Sequence, residues 1–216
     1  MRITLSLLAL LLSAIASLPL CADNEPATFS GMLAAHNAAR SAVGVAPLLW
    51  SNTLATGAQQ WASQLASEGC TLRYDPDPSR RETTGQNLFR AYGNAPYNGT
   101  KRTPAEAAER WVREGQQYDH ATHRCKNTLG SQCGAYLQVI WEKTTAVGCG
   151  QARCEAAEVW VCHYAPRGGQ DDLKPYGNAP QSSPAAPAVL VQQCNALLPT
   201  AAEQFSDAVS EKLPPP

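Results

Sequence analysis

The sequence predicts an α+β fold: helices laid over a small antiparallel sheet, with disulfides fastening the two. Three observations predict it. Apolar residues recur at helical spacing through much of the first half of the chain. Short aromatic and β-branched runs, separated by turn-rich pieces, occupy residues 136–164. Six of the eight cysteines fall between residues 70 and 162. Helices first and strands later is the order of an α+β domain, in which helices cover a sheet.

The chain opens with Arg2 and an apolar run from Leu5 to Leu12, broken only by Ser6 and extended by Ala14, Ile15 and Ala16. One charge followed by an apolar stretch is the pattern of an export signal. Ile3 to Leu20 approaches the length of a membrane anchor, but Ser13, Ser17 and Pro19 interrupt it and no basic stop-transfer cluster follows. The expectation is a signal peptide over residues 1–22, cleaved after Ala22, with Ala16 as the alternative point. Retention of Cys21 as a lipid-modified residue is a third reading, against which Leu20 stands because small residues precede such cysteines. No later segment is apolar enough to cross a bilayer, so no transmembrane segment is expected after cleavage. The expected location is secreted or extracellular, or the periplasm or cell envelope in a bacterium.

Phe29, Met32, Leu33, His36 and Arg40 share a helical face, which predicts a first helix over Phe29 to Ser41, ended by Gly44 and Pro47. Ser51 is placed to cap a second helix, whose stripe is Leu54, Ala58, Trp61, Ala62 and Leu65 and whose end is Gly69. Cys70 to Arg102 is polar and rich in Pro and Gly, a long loop with a short helix near Thr84 to Phe89. Loops of this length inside a domain are usually functional or mobile. Thr103-Pro104-Ala105-Glu106 then combines a cap, a proline at the first helical position and a glutamate that reaches back. This third helix is expected to run to about Gln117. Tyr136 to Trp141, Ala146 to Gln151 and Val159 to Tyr164 are the expected strands. A domain over residues 28–176 and a Pro/Ala-rich C-terminal tail over 177–216 complete the division. A helix over Ala188 to Leu213 would be interrupted by Pro199.

Lys plus Arg number 17 and Asp plus Glu 18, so no sequence-wide charge invites nucleic acid or an anionic membrane. After signal removal about 190 residues remain, enough for one domain with a core of its own. In an exported chain cysteines default to disulfides. A zinc cluster would want close cysteine pairs, and no C-x-x-C occurs. If Cys21 leaves with the signal, Cys194 is the odd thiol, and if it stays, a Cys21–Cys194 bridge is open. Arithmetic alone leaves 15 pairings for the other six.

Several stretches, taken in order, resemble one family. They are His36-Asn37 with Arg40, Gly85-Gln86-Asn87-Leu88, Trp111-Val112-Arg113-Glu114, and Tyr118-Asp119-His120 before Cys125. Gly134-Ala135-Tyr136-Leu137-Gln138-Val139-Ile140-Trp141, Val147-Gly148-Cys149 and Val161-Cys162-His163-Tyr164 follow. Together they resemble the CAP superfamily: cysteine-rich secretory proteins, antigen five and pathogenesis-related protein one, built on the SCP domain. The resemblance implies an α-β-α sandwich and the bridges Cys70–Cys154, Cys125–Cys133 and Cys149–Cys162, each worth roughly 2–5 kcal/mol in the chain-entropy account.

It also implies a central cleft where many members place two histidines and two glutamates, a set able to hold a divalent metal. The matching positions here are Tyr74, Gln86, Glu114 and Ala135. Three of the four have changed: Gln86 is neutral and Ala135 carries no ligand atom. No cofactor is therefore expected, zinc included. Glu114 has two readings of equal standing, a cleft residue bonded to Gln86 or Tyr74 and a helix-surface carboxylate. His120, His123 and Cys125 are metal-capable by type, but oxidation of Cys125 leaves two loop histidines. His36 reads as a packing residue, and His163 faces outward by strand alternation. Ser131 sits in a nucleophile-like turn without a base, and Asn98-Gly99-Thr100 is a glycosylation sequon.

The resulting expectation is a secreted, non-enzymatic protein that binds a small hydrophobic ligand such as a sterol or fatty acid, or acts in host or defence interaction. Two alternatives stand beside it: a hydrolase or metal-dependent protein with a degenerate cleft, and a cell-envelope interaction module.

Overall fold

The computed structural model describes residues 23–93, 102–126, 132–168 and 174–177. The signal segment, Asn98, Ser131, Cys194 and all but the first residue of the tail lie outside the described residues.

The first element is α1, Met32–Ala42, preceded by a 3₁₀ turn at Ala27–Phe29. It begins three residues later than the apolar spacing predicts. Gly31 holds a left-handed φ of 92°, and the Glu25 carboxylate accepts from the amides of Gly31 and Leu33. A carboxylate on the free first-turn amides fixes where the helix starts. After the two-residue strand β1, Leu49–Trp50, helix α2 runs over Asn52–Ser67 with Ser51 Oγ accepting from the Leu54 amide. Then come α3, Pro78–Thr83, and β2, Gly85–Tyr92. Helix α4, Pro104–Arg113, starts on the full Thr103–Glu106 capping box and continues as a 3₁₀ turn over Glu114–Gln117. A small ribbon of β3, Tyr118–Asp119, and β4, Arg124–Cys125, leads to α5, Gly134–Val139. Strands β5, Ala146–Arg153, and β6, Ala157–Ala165, close the domain.

The main sheet has the order β1-β5-β6-β2. Strands β5 and β6 pair antiparallel, as expected, β2 joins them as a third antiparallel strand that was not expected, and β1 pairs parallel to β5. The sheet is covered on both faces. Below it, α2 packs on Val159 and Val161 of β6 through Ala58, Trp61 and Leu65. Above it, α1, α4 and α5 close over Val147, Cys149, Trp160, Cys162 and Tyr164. This is the α-β-α layering. Helix α2 lies unusually close to β5 because Gly148 and Gly150 have no side chain. A Cβ there would stand 2.2 Å from the Ala55 nitrogen and 2.3 Å from Gln59 Cα.

Among the described residues three disulfides tie the layers. Cys70–Cys154 joins the end of α2 to the β5–β6 turn, Cys125–Cys133 joins β4 to the start of α5, and Cys149–Cys162 links facing residues of β5 and β6. They are the couples the family resemblance implies.

Two expected elements are corrected. The segment Thr84 to Phe89, read as a short helix, belongs to β2, which pairs with β6 over eight positions from Gly85↔Tyr164 to Tyr92↔Ala157. Its side chains divide by parity: Gln86 and Leu88 face α2, and Asn87 and Phe89 face the upper helices. A period of two settles the choice. Tyr136 to Trp141, read as a strand, is mostly α5. Tyr136, Val139 and Ile140 recur at spacings of three and four and are all buried, so helical periodicity outweighs β-branched composition. The end of α5 is held by Arg40, whose guanidinium donates to the carbonyls of Val139, Trp141 and Thr144 while its Nε donates to Ala46. Burial lowers its pKa to about 10, so it remains charged at neutral pH.

Candidate functional site

A cavity of about 310 Å³ opens where the loop after α2, the start of β2, the start of α5 and the end of β6 meet. Tyr74, Gln86, Ala135, His163, Arg81 and Arg167 are among its lining residues. Three of the four cleft positions read from the sequence therefore come together, and the fourth does not line the cavity.

Tyr74 stands at the mouth, with 68% of its surface exposed. Gln86 is half-buried on β2, and both ends of its amide are used. Its Oε1 accepts from the Asp75 backbone at 3.1 Å, which makes Nε2 the donor to His163 Nε2 at 2.7 Å. His163 therefore carries its proton on Nδ1, which lies against α2 at Gly57, where a Cβ would stand 3.3 Å away. The histidine is buried, not outward-facing as strand alternation predicts. Alternation assigns a face, but here helix α2 covers that face. Burial drives its pKa down to about 4, with Arg80 adding to the drop and Asp75 opposing it. At neutral pH it is an uncharged hydrogen-bond acceptor.

Asp75 is 4% exposed and anchors the loop. It accepts from Arg80 Nε at 2.7 Å and from the Asp77 amide at 3.0 Å. Asp77 in turn caps α3, whose first residue is Pro78. An acceptor followed by proline is a helix-start signal, and it was the available sequence clue to this second loop element.

Ala135 contributes a methyl group to the lining and its backbone to the framework: its carbonyl accepts from Asn87 Nδ2 at 3.0 Å. Glu114, in the 3₁₀ turn after α4, accepts from the Ala135 amide at 2.9 Å. This half-buried carboxylate holds the start of α5, bonding neither Gln86 nor Tyr74, and burial raises its pKa. The donor set at the four positions does not fit a divalent cation: an exposed phenol, a committed amide, a methyl and a carboxylate outside the cavity. Among the described residues no three His, Cys, Asp or Glu side chains form a metal-binding group. Cys125 is spent in its disulfide, His120 Nδ1 meets Tyr176 Oη at 2.7 Å and His123 Nδ1 meets Tyr118 Oη at 2.9 Å.

The family pattern's helix residues turn out to be framework. His36 Nδ1 donates to the Met32 carbonyl and its Nε2 accepts from Tyr164 Oη, both at 2.7 Å. Tyr164 Oη accepts from Asn87 Nδ2 at 3.1 Å. Asn37 clamps Leu48 through both its amide and its carbonyl.

Residues 33–164 match the family model described as "CAP: Cysteine-rich secretory protein family". The chain belongs to the CAP family. It is 39% identical over 145 residues to pathogenesis-related protein 1B of Nicotiana tabacum, covering 67% of this chain and 78% of that protein. It is 35% identical over 160 residues to pathogenesis-related protein PRMS of Zea mays, covering 73% of this chain and 86% of that protein. Among solved structures, venom allergen-like protein 4 of Schistosoma mansoni superposes with a TM-score of 0.53 at 24% identity, over 70% of this chain and 94% of its own. At that identity the likeness is one of fold. The CAP domain is thus the frame in which the cavity stands, and Tyr74, Gln86 and Ala135 are this member's residues within it.

Proposed function

We propose that this CAP protein acts outside the cell as a non-enzymatic binding protein, holding the polar end of a small hydrophobic or amphipathic molecule, a sterol or fatty acid, in the cleft beside Gln86 and His163. The Gln86–His163 hydrogen bond carries the reading. It occupies the lone pair that His163 would need to act as a base or to bind a metal. With Ala135 opposite, the cleft offers no nucleophile paired with a base, and no zinc or other cofactor is required. Family membership supports the reading, since CAP and pathogenesis-related proteins of this type are generally non-enzymatic. Three disulfides and the export-signal pattern at the N-terminus support an extracellular site of action and a role in defence or host interaction.

The test is a binding screen of labelled sterols and fatty acids on the purified chain, with metal analysis of the same preparation. Saturable one-to-one binding of a lipid with no stoichiometric zinc is expected. No saturable binding across the panel, or stoichiometric zinc lost on Glu114→Ala, would contradict the reading.

A further inference from the structure

The charges lining the cavity do not balance. Among the described lining residues, Arg80, Arg81 and Arg167 stand against one carboxylate, Asp75, and His163 is neutral. Arg80 is already neutralised, by Asp75 at 2.7 Å and Asp77 at 3.3 Å. Arg81 and Arg167 differ. Neither has an ion pair among the described residues, and neighbouring Glu82 pairs with neither. Arg167 Nη1 donates to the Arg81 backbone carbonyl at 2.8 Å, which brings the two residues together on one rim although 86 positions separate them in sequence. The Arg167 amide also donates to the Thr83 carbonyl, so the chain after β6 is tied to the end of α3. Two guanidiniums without a carboxylate, beside a small cavity, match a doubly charged oxyanion. Arginine's planar fork suits phosphate oxygens in paired hydrogen bonds.

We propose that this cleft binds the dianionic phosphate of a small phosphate monoester, with Arg81 and Arg167 as its charge partners. The Thr84 hydroxyl, also in the lining, already donates to Thr83 Oγ1 at 3.3 Å, so the charge falls to the two arginines. A volume near 310 Å³ is at the lower end of small-molecule sites. It admits a phosphate with a glycerol-sized body, and a longer chain would extend past Tyr74 to solvent. The inference rests on the cleft being the ligand site, as proposed above, but does not require the ligand to be a lipid.

The test is calorimetric titration of the full chain at low salt with glycerol 3-phosphate, a short-chain phosphatidic acid, glycerol and acetate. Saturable binding of a phosphate probe is expected, weakened at least tenfold by Arg81→Gln and by Arg167→Gln. It should be partly kept by Arg167→Lys and unchanged by Arg124→Gln on the β3–β4 ribbon. Thermal unfolding of each variant shows that it is folded. Glycerol phosphate binding at the strength of the phospholipid assigns a free ester, and preference for the phospholipid assigns a headgroup. Glycerol phosphate binding alongside a failed sterol and fatty-acid screen would retire the lipid reading and leave this one standing. No phosphate binding into the millimolar range, equal binding of acetate, or full binding by both glutamine variants would overturn it.

Discussion

His163 and Tyr164 are neighbours on β6 and point to opposite faces of the sheet, and the two faces treat their polar groups differently. Above, Tyr164 joins Met32, His36 and Asn87 in a network in which each member satisfies another, with Arg40 close by gathering four carbonyls. Below, His163 has one partner among the described residues, Gln86, and borders a cavity rimmed by Arg81 and Arg167, which have no ion pair among those residues. Burial is similar on both sides. Burial and a displaced pKa therefore do not by themselves mark a site in this molecule. What separates the two histidines is whether space and unspent charge lie beside them.

Breaking the upper side should cost most. Arg40→Met strands the carbonyls of Ala46, Val139, Trp141 and Thr144, each at roughly 1–3 kcal/mol if it finds no water. A loss of at least about 3 kcal/mol is expected in urea unfolding. A loss below about 1 kcal/mol would mean that Arg40 is not the support of α5. Tyr164→Phe removes the hydroxyl from His36 Nε2 and Asn87 Nδ2 and is expected to cost about 1–3 kcal/mol.

Acid should act on both sides together. His36 and His163 each have a pKa lowered to about 4 by burial, against an unfolded value of about 6.5. The unfolded chain binds these protons first, so stability is complete above pH 6.5 and falls as the pH drops towards 4. The slope is about 1.4 kcal/mol per pH unit for each histidine. His163→Gln should remove one of the two contributions, read from unfolding free energies at several pH values. An unchanged slope would place His163 in contact with solvent.

The smallest stability change separates the sides most cleanly. Gln86→Ala is expected to cost about 1 kcal/mol or less, since Gln86 is half-buried and water can replace it. It should nonetheless alter ligand binding in the cleft. A cost near that of Arg40→Met would make the lower side framework as well.

Much of the fold was legible because local signals agreed with it. The Thr103–Glu106 box, the Ser51 cap and the stripe of α2 each name an element through one mechanism. Strand β2 and helix α5 were not legible, because Gln86 to Tyr92 mixes polar and apolar residues without strict alternation and Tyr136 to Ile140 is rich in aromatic and β-branched residues. In both, tertiary pairing decides against composition. The cysteine couples came from the resemblance rather than from arithmetic. In the cleft, Tyr74, Gln86 and Ala135 were reached by the same route. Asp75, Arg80, Arg81, His163 and Arg167 were missed because the loop from 71 to 84 and the end of β6 meet only in three dimensions.

The central claim is that the cleft histidine is neutral and committed to Gln86. NMR titration of the His163 ring, assigned by comparison with His163→Gln, tests it directly. The expected result is a neutral ring with its proton on Nδ1 at pH 6, an apparent pKa near 4 and no change on adding equimolar zinc. Titration near pH 6.5, or a zinc-induced shift at neutral pH, would contradict it.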